Sequence, residues 1–272
     1  MTPEEYRAHP GLSQSFLKGF LRSPAHAMRQ KPETEAMILG TAAHCAILEP
    51  DAFDARYLVI PKVSRATKEG KALWAEAELD GRIILNEEQY GLVKGMRDAV
   101  LAHSIASRLL AGEREAPVFW EIDGQPCKGL FDVWNLVDNL IVDIKTTVTA
   151  EPASFQRRIW QEPFLYGFQA AWYADGGEIV SQRPQTFAFI AVEHCLKDGY
   201  DKPVHGVSVH EVESDAIDRG RRDYHKALAI YRECKRAGRY PAYEEVIYKA
   251  HAPKWDNEVE TETLDEEDDF NG

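Results

Sequence analysis

Residues 128–148 read KGLFDVWNLVDNLIVDIKTTV, and this stretch decides the fold. It contains two runs rich in β-branched and aromatic residues, separated by Asp138-Asn139, a dipeptide common in tight turns. A third run of this kind, APVFWEID at residues 116–123, comes before them and ends at an Asp-Gly turn signal. The stretch and its neighbour therefore predict three consecutive antiparallel strands.

The turn between the last two strands determines which side chains meet. With a two-residue turn, Val137 pairs with Leu140 and Asp132 lies opposite Lys145. Because side chains alternate across a strand, Asp132, Asp143 and Lys145 are expected on one face of the sheet. The sequence therefore predicts two carboxylates and one ammonium group on a single patch.

Two carboxylates this close repel each other unless a cation lies between them. Carboxylate oxygens suit a hard ion such as Mg²⁺, with Mn²⁺ able to substitute, and the backbone carbonyl of Ile144 is a further candidate ligand. Such an ion activates water and screens charge on a phosphate, and Lys145 beside it can stabilise the transition state. The pattern indicates phosphodiester hydrolysis, although an ordinary Asp–Lys pair across an exposed sheet has the same spacing.

The rest of the chain predicts helices around a central mixed sheet, which is an α/β (α+β) fold with a helical N-terminal part. We expect one domain over residues 1–254, helical over about 1–112 and with the catalytic core over about 113–254. Helical periodicity and capping signals mark residues 15–22, 24–28, 35–48, 68–80, 86–103, 153–161, 163–175 and 214–237, and further extended segments lie at 56–61, 185–193 and 205–212.

The charge is distributed unevenly along the chain. The 32 Lys and Arg against 45 Asp and Glu give −13, but nine of the acids lie in residues 255–272, so residues 1–254 carry −4. Residues 219–239 are locally basic. The acidic segment is predicted to be a disordered tail that serves either solubility or competition with DNA for a basic groove. A phosphate-bearing substrate is therefore compatible with the net negative charge.

The spacing of the four cysteines fits neither a zinc site nor an iron–sulfur cluster, which favours reduced thiols in a cytoplasmic protein. No apolar run is long enough to span a bilayer, so no membrane partner is expected.

Three residues outside the strands are further candidates. His44 follows Gly40 by one helical turn in GTAAH, where small residues permit close approach to the sheet. It is either a core histidine or a metal ligand. Gln169 and Tyr173, in QAAWY, are an i, i+4 pair, which is either an ordinary helix pair or a contact for a phosphate or a base.

The ordered series of GTAAH, Glu115, GLFD, VDIKTT and QAAWY resembles the RecB-like branch of the PD-(D/E)XK nucleases, and within it the RecE-type exonuclease VIII family. The resemblance covers about residues 11–255. It includes LSQSFLKGFLRSPAHA at residues 12–27, RATKEGKA at 65–72, RPQTFAFIAVE at 183–193 and YHKALAIYRECKRAGRYPAY at 224–243.

This resemblance implies a Mg²⁺-dependent exonuclease that degrades linear double-stranded DNA from the 5′ end and leaves a 3′ overhang for strand annealing. It also implies a toroidal homo-oligomer, a single-strand annealing protein as partner, and a phage or prophage origin in a bacterial cytoplasm.

By motif, the resemblance assigns site roles. His44, Asp132 and Asp143 become metal ligands, Lys145 the catalytic lysine, and Gln169 and Tyr173 supporting residues. Glu115 joins the site unless Glu121 replaces it, since the strand parity there is ambiguous. Candidate DNA contacts are Arg65, Lys68, Lys71, Thr146, Arg157 and Arg158.

Two alternatives remain for the activity. One is a nuclease of the same fold that cuts internally or acts on single strands, in phage DNA processing. The other is a non-catalytic DNA-binding recombination scaffold.

Overall fold

The computed structural model describes residues 1–250 apart from residues 2, 30–31, 33, 162–164, 195–203, 244–245 and 248. The predicted acidic tail lies outside the described residues. Residues 1–242 form one compact unit. Its N-terminal part is helical, with helices α1 (Pro3–Ala8), α2 (Gln14–Arg22), α3 (Pro24–Ala27), α4 (Glu35–Leu48) and α5 (Phe53–Arg56). The predicted cap is confirmed, because the Ser13 side chain accepts a hydrogen bond from the Phe16 amide at the start of α2.

A small parallel sheet follows these helices. Strands β1 (Tyr57–Ile60) and β2 (Ile83–Asn86) pair with each other and are connected by helix α6 (Lys68–Asp80). Strand β1 was predicted as an extended segment, whereas β2 was not predicted; it is four residues long and ends at Asn86, the N-cap of the next helix. Helices α7 (Glu87–Ala102) and α8 (Ala106–Leu109) then lead to the main sheet.

The main sheet has five strands, in the spatial order β3 (Glu113–Ile122), β4 (Gln125–Asn135), β5 (Leu140–Thr147), β6 (Thr186–Glu193) and β7 (Val207–Glu211). The β5–β6 pair is parallel and the other pairs are antiparallel. The prediction of a mixed sheet whose first three strands are antiparallel is confirmed. Helices α9 (Pro152–Trp160), α10 (Tyr166–Ser181) and α11 (Ser214–Ala237) complete the fold.

The predicted register between β4 and β5 is wrong by two residues. Asn135 pairs with Leu140, so residues 136–139 form a four-residue turn. The Asn135 side chain accepts hydrogen bonds from the amides of Val137 and Asp138, both at 3.0 Å, and this local capping holds the longer turn. Asp132 is therefore opposite Asp143 in register, not opposite Lys145. A shift of two residues preserves the relative parity of the paired segments, Val133–Asn135 and Leu140–Val142.

Two apolar cores cover the faces of the main sheet. The α10-side core contains Phe131, Trp134, Ile141, Phe187 and Phe189 from the strands, packed with residues of α2, α9, α10 and α11. The α4-side core contains Val133, Val142, Ile144, Ile190 and Val192, packed with residues of α4 and α7. Helices therefore flank the sheet on both sides, as predicted.

Helix α10 differs from the prediction in its bounds. It runs to Ser181, beyond the expected end at residue 175, and the expected start at Pro163 falls outside the described residues. Gly176 and Gly177 lie inside the helix. A Cβ at Gly176 would be 2.8 Å from Trp120, and a Cβ at Gly177 would be 2.9 Å from Ile141. Close packing therefore requires the two glycines, which do not end the helix.

Candidate active site

Strands β4 and β5 separate at Asp132. Their ladder covers only Val133–Asn135 on β4. Beyond it, the Ile144 amide donates to the Asp132 carboxylate at 2.6 Å, so a side chain takes the place of a ladder carbonyl. Near the start of β4, the edge that β5 leaves free pairs with the backbone of Leu12. The Leu12 amide donates to the Pro126 carbonyl at 2.9 Å, and the Leu12 carbonyl accepts from the Lys128 backbone amide at 2.8 Å. The fork thus leaves a buried carboxylate, 7% exposed, between two strands.

A backbone irregularity on β3 brings a second acid to this point. Glu115 has φ +49° and is missing from an otherwise continuous β3–β4 ladder, where it would face Asp132. In a regular strand Phe131 and Val133 would share one face. Here Phe131 lies with Trp134 in the α10-side core and Val133 lies in the α4-side core, so the alternation of β4 is interrupted at Asp132. Such irregularities redirect side chains near functional sites.

His44 completes a cluster of three ligand-bearing residues. One ligand atom from each of His44, Glu115 and Asp132 lies within 4.8 Å of the others. The His44 Nδ1 atom is 3.4 Å from the Asp132 carboxylate. Glu121, the alternative to Glu115, pairs with Pro126 near the exposed end of the β3–β4 hairpin, six residues farther along the strand. The structure therefore places Glu115, and not Glu121, beside Asp132.

Close approach of α4 to the sheet positions His44. A Cβ at Gly40 would be 2.9 Å from the Thr146 hydroxyl, and Ala42 and Ala43 are fully buried. The small residues of GTAAH therefore allow the approach that the sequence analysis expected. Thr146, predicted as a DNA contact, is half-buried against this helix.

A second set of contacts surrounds Asp143, which is 2% exposed. Gln169 donates a hydrogen bond to Oδ1, and the Lys145 ammonium forms an ion pair with Oδ2. Tyr173 packs on Phe131 with ring centroids 4.7 Å apart and is 7% exposed. Gln169 is thus engaged by the site acid and Tyr173 lies in the core, so the structure shows neither of them open to a phosphate or base.

The buried charges change the pKa values of the site. Burial, followed by the charge of Asp132, raises the pKa of Glu115 to about 8. Burial, followed by the charge of Asp143, raises the pKa of Asp132 to about 6. Burial alone would lower the pKa of Lys145, but the charges of Asp143 and Asp132 outweigh it and raise that pKa. The repulsion among Glu115, Asp132 and Asp143 therefore favours the binding of a further positive charge, either a proton or a metal cation.

The donor set fits a divalent cation. One imidazole nitrogen and two carboxylates are grouped tightly, and this mixture suits Mn²⁺ as well as Mg²⁺. The buried Oδ2 atom of Asp143 faces the Lys145 ammonium, so a cation already lies against this carboxylate. Ile144 contributes its amide to Asp132 and buries its side chain in the α4-side core.

The predicted DNA contacts belong to two elements. The Arg65 guanidinium lies 3.7 Å from the centre of the Trp74 ring, before α6, and Lys68 and Lys71 are exposed in the first turn of that helix. On α9, Arg157 is exposed, whereas Arg158 donates to the Thr147 hydroxyl at the end of β5. The structure therefore links Arg158 to the site strand.

Two contacts near the site, those of Tyr166 and Lys128, were not predicted from the sequence. The Tyr166 ring centroid is 5.3 Å from the Lys145 ammonium, and its position three residues before Gln169 was the available signal. Lys128, 8% exposed, donates to the carbonyls of Tyr6, Arg7 and His9 at 2.9, 3.0 and 2.7 Å, which fixes the N-terminal segment over β4. No local pattern in the sequence indicated this second contact.

A known protein family matches most of the chain. The sequence model of the family described as PDDEXK-like domain of unknown function (DUF3799) matches residues 13–251. No curated protein matches the sequence. In the described part of the chain, none of the helices combines the length and apolar composition needed to cross a bilayer.

Three solved structures are similar to this one. A protein assigned as an exonuclease from Eubacterium rectale is 12% identical, with a TM-score of 0.62 over 96% of this chain and 98% of its own. A phage-related exonuclease from Haemophilus somnus 129PT is 13% identical, with a TM-score of 0.36 over 72% and 94% of the two chains. An alkaline exonuclease from Laribacter hongkongensis is 12% identical, with a TM-score of 0.34 over 87% and 96%. The first likeness shows the fold, and the other two are too distant to support an argument.

Proposed function

The chain belongs to the PDDEXK-like DUF3799 family, and from this premise we propose that it is a metal-dependent exodeoxyribonuclease. It digests linear double-stranded DNA from the 5′ end and leaves a 3′ single-stranded overhang. The overhang is then the substrate for recombination by strand annealing. The polarity and the recombination role come from the resemblance to RecE-type exonucleases.

The observation that carries the proposal is the convergence of His44, Glu115 and Asp132 within 4.8 Å, next to the Asp143–Lys145 ion pair. A protein that only binds DNA has no use for buried carboxylates that raise each other's pKa values. A phosphodiesterase requires such a group, because it must hold a cation against a phosphate. The fold of the sheet supports the same class of enzyme.

Each site residue then has a defined task. His44, Glu115 and Asp132 hold the divalent ion, with Asp143 and the Ile144 carbonyl as further candidates. A bound Mg²⁺, or Mn²⁺ in its place, would supply activation of water and screening of charge on the phosphate. Lys145 places its ammonium group beside the scissile phosphate and stabilises charge that develops there. Gln169 fixes the orientation of the Asp143 carboxylate through its hydrogen bond to Oδ1.

DNA binding is assigned to exposed basic residues. Lys68, Lys71 and Arg157 are exposed and can neutralise backbone phosphates without reading sequence. The proposed assembly is a toroidal homo-oligomer that works with a single-strand annealing protein in the bacterial cytoplasm, encoded by a phage or prophage. This part of the proposal rests on the family resemblance.

End-labelled linear duplex tests the proposal directly. Duplexes labelled at the 5′ or the 3′ ends are incubated with Mg²⁺ and wild type, Asp143→Asn or Lys145→Met. We expect wild type to release the 5′ label at once and the 3′ label late, and both variants to lose at least about a hundredfold in rate. Asp98→Asn and Lys94→Met make the same chemical changes on the exposed side of α7 and should digest as wild type does.

The outcomes separate the alternatives. Cleavage of closed circular DNA would indicate an endonuclease, and digestion of single strands alone would indicate a single-strand nuclease. Mg²⁺-independent binding without turnover would support the recombination scaffold. Equal digestion by wild type and both site variants would refute the assignment of the site.

A further inference from the structure

The side chain of Lys145 lies against two aromatic rings. Its ammonium is 5.3 Å from the centroid of Tyr166 and 5.7 Å from that of Phe189, and the side chain is 18% exposed. A cation over an aromatic face is attracted by the negative face of the ring. The ion pair with Asp143 and these rings together determine where the ammonium group lies.

The Tyr166 ring is itself held from its hydroxyl end. The Arg158 guanidinium interacts with the Tyr166 side chain and donates a hydrogen bond to the Thr147 hydroxyl. Thr147 is 3% exposed and ends β5, the strand that carries Asp143 and Lys145. The ring is therefore connected at one end to the strand whose lysine lies against its face.

Packing and backbone geometry restrict the ring further. Tyr166 lies 5.5 Å from both Phe155 and Phe189, measured between ring centroids. The preceding residue, Leu165, has φ +45°, a left-handed conformation that costs a non-glycine residue free energy. The chain accepts this strain at the position that places Tyr166 on the first turn of α10.

We propose that Tyr166 is a positioning residue for Lys145 and that Arg158 holds Tyr166 in place. Arg158 then acts inside the site and is not the DNA backbone contact that the sequence analysis expected. A lysine has four rotatable bonds, so an ion pair alone leaves its ammonium group several positions around Asp143. The ring removes part of that freedom. The inference rests on the proposed function, because Lys145 is assigned to catalysis there.

Kinetics of three variants test the role in catalysis. For Tyr166→Leu we expect kcat to fall about tenfold, as for the loss of one contact to a positioned charge, while KM for DNA changes less than about twofold. Tyr166→Phe keeps the ring but loses its contact with Arg158, so Tyr166→Phe and Arg158→Met should each give a kcat between those of wild type and Tyr166→Leu. Tyr90→Leu, at a half-exposed tyrosine of α7, is the matched control.

The same variants distinguish positioning from DNA binding. If Arg158 contacts phosphate, Arg158→Met would raise KM and reduce the salt dependence of binding, and kcat would stay unchanged. That result, or a Tyr166→Leu enzyme with wild-type kcat, would overturn the proposal. If Tyr166→Leu fails to fold by circular dichroism, Tyr166→Phe and Arg158→Met carry the test.

A second measurement does not depend on nuclease activity. In protein labelled with ¹³C-lysine, the Lys145 ε-CH₂ protons should resonate upfield of the other lysines because of the ring, with Lys145→Arg giving the assignment. The upfield shift should persist in Tyr166→Phe and shrink in Tyr166→Leu. An unshifted signal in wild type, or no change in Tyr166→Leu, would refute the positioning. A shifted signal in a protein without nuclease activity would instead refute the proposed function alone.

Discussion

Raising the pH in the absence of divalent ions should destabilise this protein through its own acidic cluster. The pKa of Glu115 rises from 4.5 to about 8 in the folded state, and that of Asp132 rises from 3.8 to about 6. Between the two values of each pair, the folded state keeps a proton that the unfolded chain has already released. The free energy of unfolding therefore falls as the pH rises through this window, and the loss is complete above about pH 8.

The size of the effect follows from the shift at Glu115. One proton over that window corresponds to about 1.4 kcal/mol per pH unit, an upper limit of about 5 kcal/mol. Glu115 is half-buried, so water and local relaxation reduce this figure. We expect a loss of about 1–3 kcal/mol from this group between pH 5 and pH 8.

Urea denaturation at pH 5, 6.5 and 8 in EDTA measures this loss. Glu115→Gln removes the titrating group, so the difference between wild type and this variant isolates its contribution from other titrations. Glu121→Gln, at the exposed end of the hairpin, is the matched control and should follow wild type.

Adding Mg²⁺ at pH 8 should restore stability in wild type, by about 2.7 kcal/mol at a hundred times Kd. Two results would contradict this account of Glu115. Either the free energies of unfolding of wild type and Glu115→Gln would change in parallel with pH, or wild type would gain stability relative to the variant as the pH rises.

Three further substitutions give separate readouts. Gly40→Ala places a methyl group 2.9 Å from the Thr146 hydroxyl, so we expect weaker Mg²⁺ binding by calorimetry. The control Gly91→Ala meets nothing within 4 Å and should add about 0.5–1 kcal/mol of stability. Equal Mg²⁺ affinities in the two variants would contradict the need for close approach of α4 to the sheet. Lys128→Met leaves the carbonyls of Tyr6, Arg7 and His9 without their donor, and urea denaturation should show a loss of about 1–3 kcal/mol, which an unchanged midpoint would disprove. Glu115→Gly relieves both the left-handed φ and the charge repulsion, so Tm should rise in EDTA while the Tm gain on adding Mg²⁺ shrinks; a full Mg²⁺ response would exclude Glu115 as a ligand.

Local signals allowed most of the fold to be predicted. Helices α4, α6 and α11 occupy the expected residues, because each combines a capping signal or a chain break with continuous apolar periodicity. The grouping of Asp143 with Lys145 followed from the alternation of a single strand, which no distant contact can change.

The features that were predicted wrongly or not at all depend on side-chain hydrogen bonds or on contacts between residues distant in the sequence. The β4–β5 turn was predicted two residues too short because the Asn135 side chain caps a longer loop. The position of Glu115 depends on an irregularity that two strands share, and propensity along one strand carries no information about it. The ring of Tyr166 reaches Lys145 only through the packing of α10 on the sheet.

The contacts of Lys128 bear on where the folding unit begins. The family match starts at residue 13, yet the amino-terminal carbonyls of Tyr6, Arg7 and His9 are the acceptors of a buried ammonium, and Leu12 pairs with the sheet. A protein shortened to the matched segment would keep every site residue and still leave a cation buried without acceptors and the Pro126–Lys128 stretch of β4 unpaired on one side. For expression and for comparison with relatives, these hydrogen bonds favour a protein that begins upstream of the start of the family match.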